Sequence, residues 1–555
     1  MEFLYIIGAV ALFLLGKGIY DRINLKKKIF KKLEAGFGRL GNEDDGSLSS
    51  VDSFFMYKCE REKDVFHIDD ITSTDLDLVR FFVKLNTCKS QAGVEYLYYL
   101  LNTPCFDKDE LDRRERLISF FSENKEQRLK VLYILYRFGK LRRFSLFSCI
   151  ELLDGYKLPG NAKNFLCIFL IAVSIALFFF NTTFAVILLI ISVIYNIVTY
   201  FMSKGELQGM LFGVQKVCLM LRASEELVKL DIPELSSVCE GLKTENAKLK
   251  ALKHGAFAIN SEVDGSIGAM ITEYFNMIFH FDLIHFNIAL KNAVNHVDSL
   301  KVIFEKTGYV DSLLAVTNLR DAYETWCVPV ITGQRAELSF EDLYHPELSD
   351  PVPATLSASR SVLITGSNAS GKSTFLKAVA LNTLFAETIH TCFATSFRCS
   401  LFKLISSMAL TDDIYSGESY YMTEIRALKR ILEEDVSQIP GLYFIDEVLR
   451  GTNTVERIAS STAVLRALSF GNLLCFAATH DIELTTLLAD RYENHHFDEG
   501  LDEEGNVCFD YVLKPGPSVN RNAIRLLKAN GYPSEITDTA EEMAVNFNKT
   551  GKWSL

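Results

Sequence analysis

Two nearly continuous apolar runs, Phe165 to Phe180 and Phe184 to Met202, interrupt an otherwise mixed hydrophobic and polar pattern. Only Asn181-Thr-Thr183 separates them, and no charge falls within either. Runs of this length match the hydrocarbon core of a bilayer. Lys157, Lys163 and Lys204 bracket the pair. The pattern predicts a transmembrane helical hairpin over 164–203 with both feet on the basic, cytoplasmic side. A shorter run, Phe3 to Leu15, precedes Lys17 and the basic cluster Arg22, Lys26, Lys27, Lys28, Lys31 and Lys32. A secretory signal carries its positive charge ahead of the apolar run, whereas only Glu2 stands there. Residues 1–20 are therefore expected to form an uncleaved anchor. It either spans, with Lys17 snorkelling, or lies monotopic at the interface. A basic juxtamembrane linker, 21–60, follows. The expected product is a multi-pass membrane protein with its polar bulk in the cytoplasm.

The remaining pattern changes character near residue 331. Leu76 to Leu101, Asp109 to Phe121 and Leu129 to Phe138 carry mostly helix-forming residues, with Pro104 as a break. They make 61–163 a helical region. Residues 204–330 continue it: Leu211, Val214, Cys218 and Leu221 share a helical face, Pro233 interrupts, and Met270 to Phe304 reads as one or two long helices. Phe279 to Leu290 contains His280, Asp282 and His285, which favours a packed helix over a further span. His280, His285 and His296 share no ligand spacing and receive no metal. Beyond 331 short apolar runs alternate with helical segments, the pattern of an α/β domain over 331–540, followed by a tail, 541–555.

Length and charge narrow the classes. A chain of 555 residues exceeds what one core supports, so several domains are expected. A net charge of -12 argues against a generally adhesive nucleic-acid binder, and residues 205–330 show no Lys/Arg stripe interleaved with aromatics. The 12 cysteines form no C-x-x-C pair, which suits free thiols in a reducing compartment.

The candidate chemistry lies in the α/β part. Gly366-Ser367-Asn368-Ala369-Ser370-Gly371-Lys372-Ser373 follows the strand-like Ser361 to Thr365 and opens an apolar helix after Thr374. In such a G-x-x-x-x-G-K-S loop, backbone N–H groups wrap a phosphate chain and the lysine meets the terminal phosphates. The serine hydroxyl is offered to Mg²⁺. The chain is thus expected to bind ATP with Mg²⁺. Leu442-Tyr-Phe-Ile-Asp446-Glu447 ends a second apolar strand in two carboxylates. Asp446 suits a Mg²⁺ ligand through water, and Glu447 suits a base for the attacking water. Leu473 to His480 is a third strand-like run whose histidine falls at the ligand edge of a parallel sheet, positioned for the γ-phosphate or the lytic water. Ser419 precedes the amphipathic stretch Tyr421, Ile425, Leu428 and Leu432. It suits an N-cap and a phosphate contact equally well.

Taken together these motifs resemble the MutS-type ATPases of DNA mismatch repair, and within them a membrane-anchored branch. The matching residues are Tyr344-His-Pro346, Thr365 to Thr374, Asp412 to Ser419 with Met422-Thr-Glu424, Phe444-Ile-Asp-Glu447, Arg450-Gly-Thr-Asn-Thr454 and Ala478-Thr-His480. Upstream, Gln91-Ala-Gly93 through Pro104 to Asp112-Arg113 is similar to the start of that family's helical lever. Tyr309-Val-Asp311-Ser-Leu-Leu-Ala315 is similar to the long helix entering its ATPase. The resemblance implies a multidomain chain: an α/β P-loop NTPase of the ABC type, preceded by a mostly α-helical lever with an inserted transmembrane hairpin. It implies a homodimer with composite sites, in which Ser419 reaches the γ-phosphate bound by the partner and Asn368 belongs to the phosphate loop. DNA as a partner is implied by the resemblance alone.

Three departures qualify the likeness. Leu449 stands where the family usually has glycine, and Ala369 where it often has methionine. Linker 21–60 leaves no room for the N-terminal mismatch-reading domain, so reading a mismatch with an inserted aromatic has no visible carrier. The apolar pair 165–202 lies where soluble helices are the rule. The function expected is a membrane-anchored, MutS-like ATPase that moves helical arms; ATP-driven transport or remodelling of a non-DNA client is the other reading.

Overall fold

The computed structural model describes residues 17, 20–21, 23–42, 51–141, 144–158, 160–250, 252, 267–367, 370–408, 420–449, 452–501, 507–518, 524, 527–528, 531–550 and 553. Most of the expected anchor 1–20, and Asn368, Ala369, Asp412 to Ser419, Arg450 and Gly451, lie outside them. The chain divides into two compact units. The first comprises Met1–Glu62, Val83–Tyr99 and Glu115–Ala322, the second Lys63–Phe82, Leu100–Arg114 and Tyr323–Leu555.

All described regular structure of the first unit is helical. Its aromatic centre is Phe54, whose ring lies 5.1 Å from Tyr99, 5.0 Å from Phe147 and 5.2 Å from Phe304. The helices Gln91–Asn102 and Val297–Ala322 meet where each carries a glycine. A Cβ on Gly93 would stand 2.2 Å from the Asp311 carboxylate, and one on Gly308 2.6 Å from the Ala92 carbonyl. Absent side chains thus set the approach. The buried Asp311 carboxylate accepts from Ser90 N at 2.7 Å and Lys89 N at 3.0 Å, and the Ser90 hydroxyl donates to it as well. Burial still pushes the Asp311 carboxyl above its ordinary pKa, and these bonds offset only part of that cost. The stretch Met270 to Phe304, which periodicity reads as one or two helices, is divided among Ile267–Phe279, Phe281–Val294 and the start of Val297–Ala322. The first break is His280, at φ 55 in the left-handed region.

Ala162–Leu177 and Thr182–Lys229 run side by side and antiparallel, with Ser174 paired to Ser192 at 3.4 Å and Cys167 to Thr199 at 3.7 Å. Asn181 caps the second helix by accepting from the Thr183 and Phe184 amides. Among the described residues one helix is long and apolar enough to cross a membrane, Thr182–Leu207, with mean hydropathy 2.4; the shorter Ala162–Leu177 is also apolar. Only 22% of the most apolar window of Thr182–Leu207 is buried, unlike a core helix. Phe169, Phe179, Phe180, Ile190 and Ile194 are exposed. The same helix continues to Lys229, and its distal half buries Val214, Cys218 and Leu221 within the unit.

Among the described residues the second unit carries ten strands: β1 (Val330–Ile331), β2 (Leu338–Leu343), β3 (Ala354–Ala358), β4 (Ser361–Thr365), β5 (Ser396–Cys399), β6 (Lys403–Ser407), β7 (Gly441–Asp446), β8 (Leu473–Thr479), β9 (Tyr492–Leu501) and β10 (Val507–Pro515). One sheet has the order β10-β9-β4-β8-β7-β6, parallel except for β10; the other is β1-β5-β2-β3. β4 and β7 are buried along their whole length, as continuous apolar runs in a parallel sheet require. Their carboxyl ends, with that of β8, fall on one edge.

Two segments upstream of residue 331 pack into this unit. Asp75 accepts from Ser406 Oγ at 2.6 Å and from Met408 N at 2.8 Å, just past β6. Phe81 stacks on Phe385 with ring centres 4.2 Å apart. Cys105 N donates to the Glu387 carbonyl at 2.9 Å. Tertiary pairing of this kind leaves no periodic trace in the sequence. None of the twelve cysteines is joined in a disulfide.

Candidate functional site

The phosphate-type loop leaves β4 and enters the helix Lys372–Thr388. Gly366 and Gly371 have φ 151 and 103, values that disfavour other residues. A Cβ at Gly366 would stand 2.8 Å from the Phe497 carbonyl and 2.9 Å from Ser370 Oγ; one at Gly371 would approach the Tyr511 ring to 3.1 Å. Both glycines therefore allow close approach as well as the turn. Lys372 is buried and its ammonium donates to the Gly366 and Ser367 carbonyls, at 2.7 Å each. Ser367 Oγ donates to Glu499 on β9 at 2.6 Å, and Ser370 is buried beneath the turn. Thr374 lines the cleft above the helix start.

Ser373 Oγ donates directly to Asp446, which ends β7. The next residue, Glu447, has a left-handed φ of 58 and is held there by its amide, which donates to the Ala478 carbonyl at 2.9 Å. Its carboxylate lies 3.2 Å from His480 Nδ1, just beyond β8. This bond, more than the surrounding charges, raises the imidazole above its ordinary pKa; partial burial opposes it. Asp481 stands 3.7 Å from the other ring nitrogen and is clamped by Arg457 in two bonds of 2.9 and 2.6 Å. Arg457 and Asp481 thus back the Glu447–His480 pair, a role that sequence reading missed. Asp481 adjoins His480, but nothing in the spacing marks Arg457 on the helix Thr454–Ala467.

Leu449, where the resemblance leads one to expect glycine, also has a left-handed φ, 58. Glu424 accepts its amide hydrogen bond, which gives Met422-Thr-Glu424 a structural role. Asn453 caps the helix Thr454–Ala467 through the Glu456 amide at 3.0 Å.

Ser367, Gly371, Lys372, Ser373, Asp446 and Glu447 line one cleft of about 780 Å³, and His480 stands behind Glu447. Lys372, Ser373, Asp446 and Glu447 form its polar end, while Leu343, Leu348, Pro351 and Val352 supply an apolar wall. Such a volume suits a nucleotide-sized ligand. Ser373 and Asp446 are hard oxygen donors in direct contact beside the loop. This is the donor set Mg²⁺ takes when phosphate and water complete its shell, so the residues fit that ion.

The parallel sheet, the glycine loop opening a helix behind a central strand, and the carboxylates ending the next strand but one define a domain of the P-loop nucleotide-binding class. Residues 362–548 match the family described as MutS domain V. The chain is 32% identical over 183 residues to "DNA mismatch repair protein MutS" of Thermus thermophilus, covering 33% of this chain and 22% of that protein. It is 28% identical over 277 residues to the protein of that name from Lactobacillus delbrueckii subsp. bulgaricus, covering 47% and 32%. "DNA mismatch repair protein MutS 2" of Haloarcula marismortui is 26% identical over 280 residues, covering 45% and 29%. The matched stretches span between 22% and 32% of these relatives' length. The similarity to the MutS family therefore rests on residues 362–548, through its domain V.

Proposed function

We propose that this chain is a membrane-anchored, MutS-like ATPase. It hydrolyses ATP in composite sites of a homodimer and uses the cycle to move its helical arms. The observation that carries this reading is the convergence of Lys372, Ser373, Asp446 and Glu447 on one cleft edge, with His480 bonded to Glu447. Lys372 leaves the two loop carbonyls for the terminal phosphates, which the loop amides and the amino end of the following helix also bind. Ser373 and Asp446 would hold Mg²⁺, which would supply positive charge against the phosphate chain. Glu447 aligns a water against the γ-phosphorus and takes its proton as the bond to the ADP oxygen breaks. His480 fixes the Glu447 carboxylate, and Arg457 with Asp481 fixes His480. Ser419, from the partner, completes the γ-phosphate site.

The anchoring reading rests on the exposed apolar faces of Ala162–Leu177 and Thr182–Leu207 and on the flanking lysines. The proposed topology is a transmembrane hairpin with the ATPase in the cytoplasm. Because Thr182–Lys229 is continuous, the span and the arm form one rod of 48 residues, about 72 Å at 1.5 Å per residue. DNA as client follows from the relatives' names. Transport is the weaker reading, since no ionisable side chain interrupts the apolar interior of the pair.

The test is ATP hydrolysis by the detergent-solubilised full chain, with and without duplex or branched DNA, beside Glu447→Gln. Turnover is expected to fall by about 10²-fold or more in the variant, with an ATP-dependent dimer trapped by the variant alone. Equal turnover in both proteins would remove Glu447 from the mechanism, and indifference to every DNA would remove that client.

A further inference from the structure

The break between the helices Ile267–Phe279 and Phe281–Val294 is fastened to both apolar helices. His280 is buried and bonds Asn164 Oδ1 through Nδ1 at 3.1 Å and the Asn196 carbonyl through Nε2 at 2.9 Å. Asn196 in turn donates to the Ile278 carbonyl at 2.8 Å and to the Cys167 carbonyl at 3.1 Å. One imidazole and one amide thus tie the turn to each member of the pair.

The outer face of the same turn is apolar. Ile271, Tyr274 and Phe275 are all more than half exposed and follow the i, i+3, i+4 spacing of a helical stripe. Phe275, Phe279 and Phe281 extend it as a stack with ring centres 5.1 and 5.6 Å apart. The helix that carries the stripe packs against both members of the apolar pair, whose own apolar side chains are exposed. Its charged neighbours lie to one side: Tyr200 donates to Asp282 at 2.7 Å, and Lys204 stands 3.7 Å from Glu273. Asn196 lies 14 residues beyond Thr182, about 21 Å along the helix. Lys204 lies about 12 Å further. A hydrocarbon core is about 30 Å thick. If the turn at Asn181 sits at the outer face, the His280 fastening falls within the inner leaflet and the charged band falls at its cytoplasmic boundary.

We propose that the turn between Ile267–Phe279 and Phe281–Val294 is itself seated in the inner leaflet of a phospholipid bilayer, a third lipid contact made by the arm rather than by the hairpin. This rests on the membrane reading of the helix pair. The physical reason is continuity: a soluble arm would leave the aromatic stack in water, whereas lipid covers it together with the faces it adjoins. Tyr274, exposed beside the charged band, is of the residue type that concentrates at a membrane interface.

The test uses the full chain reconstituted into phosphatidylcholine–phosphatidylglycerol vesicles, with Trp326→Phe and Trp553→Phe and one new tryptophan at Phe275, at Ile190 or at exposed Lys243. Emission is compared between ordinary and dibrominated phospholipid. The expected result is quenching at Phe275→Trp and Ile190→Trp and none at Lys243→Trp. Quenching at Ile190→Trp without quenching at Phe275→Trp overturns the inference while sparing the membrane hairpin. Quenching at neither position overturns both. An unchanged helical circular dichroism spectrum for Phe275→Trp establishes that the probe reports on the folded turn.

Discussion

Leu449 illustrates how a single backbone angle decides what a motif tolerates. At φ 58 a residue with a Cβ carries about 1–2 kcal/mol of strain, which glycine would relieve. The Leu449 side chain, however, is buried in the cluster containing Tyr443, Ile445 and Leu484. Removing a buried leucine side chain costs about 2–5 kcal/mol, so packing outweighs strain. Leu449→Gly is therefore expected to destabilise the protein by about 1–3 kcal/mol, read as a lower urea midpoint, although it restores the residue the family resemblance leads one to expect. At this scale the sequence was legible where chemistry is contiguous. Gly366 to Ser373 and Asp446-Glu447 announce their roles by order alone. Arg457 and Glu424 do not, because each acts through a contact that only the folded chain creates.

Among elements, the helix Gln91–Asn102 is held to the short helix Leu146–Glu151 through Glu95. Its carboxylate accepts from Leu146 N at 2.7 Å, Ser145 Oγ at 2.8 Å, Gln91 Nε2 at 3.0 Å and Phe147 N at 3.3 Å. Burial nevertheless outweighs these donors and raises its pKa from 4.5 to about 7. An acid with a raised folded pKa contributes stability that is fully present below its unfolded value and lost as pH rises through the folded one. Between about pH 4.5 and pH 7 this group alone is expected to remove about 3 kcal/mol from the helical unit. Urea unfolding of the full chain at pH 5 and pH 8 checks it: the loss should be absent in Glu95→Gln, which cannot titrate. No sequence pattern distinguishes this glutamate from a solvated one. Helical periodicity did reveal most helices of the unit, but it ran across His280, since a left-handed break at a non-glycine residue leaves the hydrophobic repeat intact.

For the whole molecule, the order of motifs along the chain misleads about where a folding unit begins. The strands and loops of the candidate ATPase all lie beyond residue 323, which invites expression of that part alone. Yet Phe81, 1% exposed, stacks on Phe385 of the helix that follows the phosphate loop, and Asp75 satisfies Ser406 and the Met408 amide at the end of β6. Losing a buried phenylalanine costs about 3–5 kcal/mol. Each buried donor left without an acceptor costs about 1–3 kcal/mol more. Domains of this size are stable by only about 5–15 kcal/mol, so deleting 63–82 and 100–114 removes most of the margin. A fragment of residues 323–555 is expected to be unfolded or aggregated at a temperature where the full chain still binds ATP, as read by circular dichroism and nucleotide binding. In the full chain Asp75→Ala is expected to lower stability by about 2–4 kcal/mol through the two orphaned donors, leaving the cleft residues in place. A cooperative melt of 323–555 at the full chain's temperature would mean that the two upstream segments only decorate the unit. The expected failure would mean that they close its core, and that any dissection of the candidate ATPase must carry them.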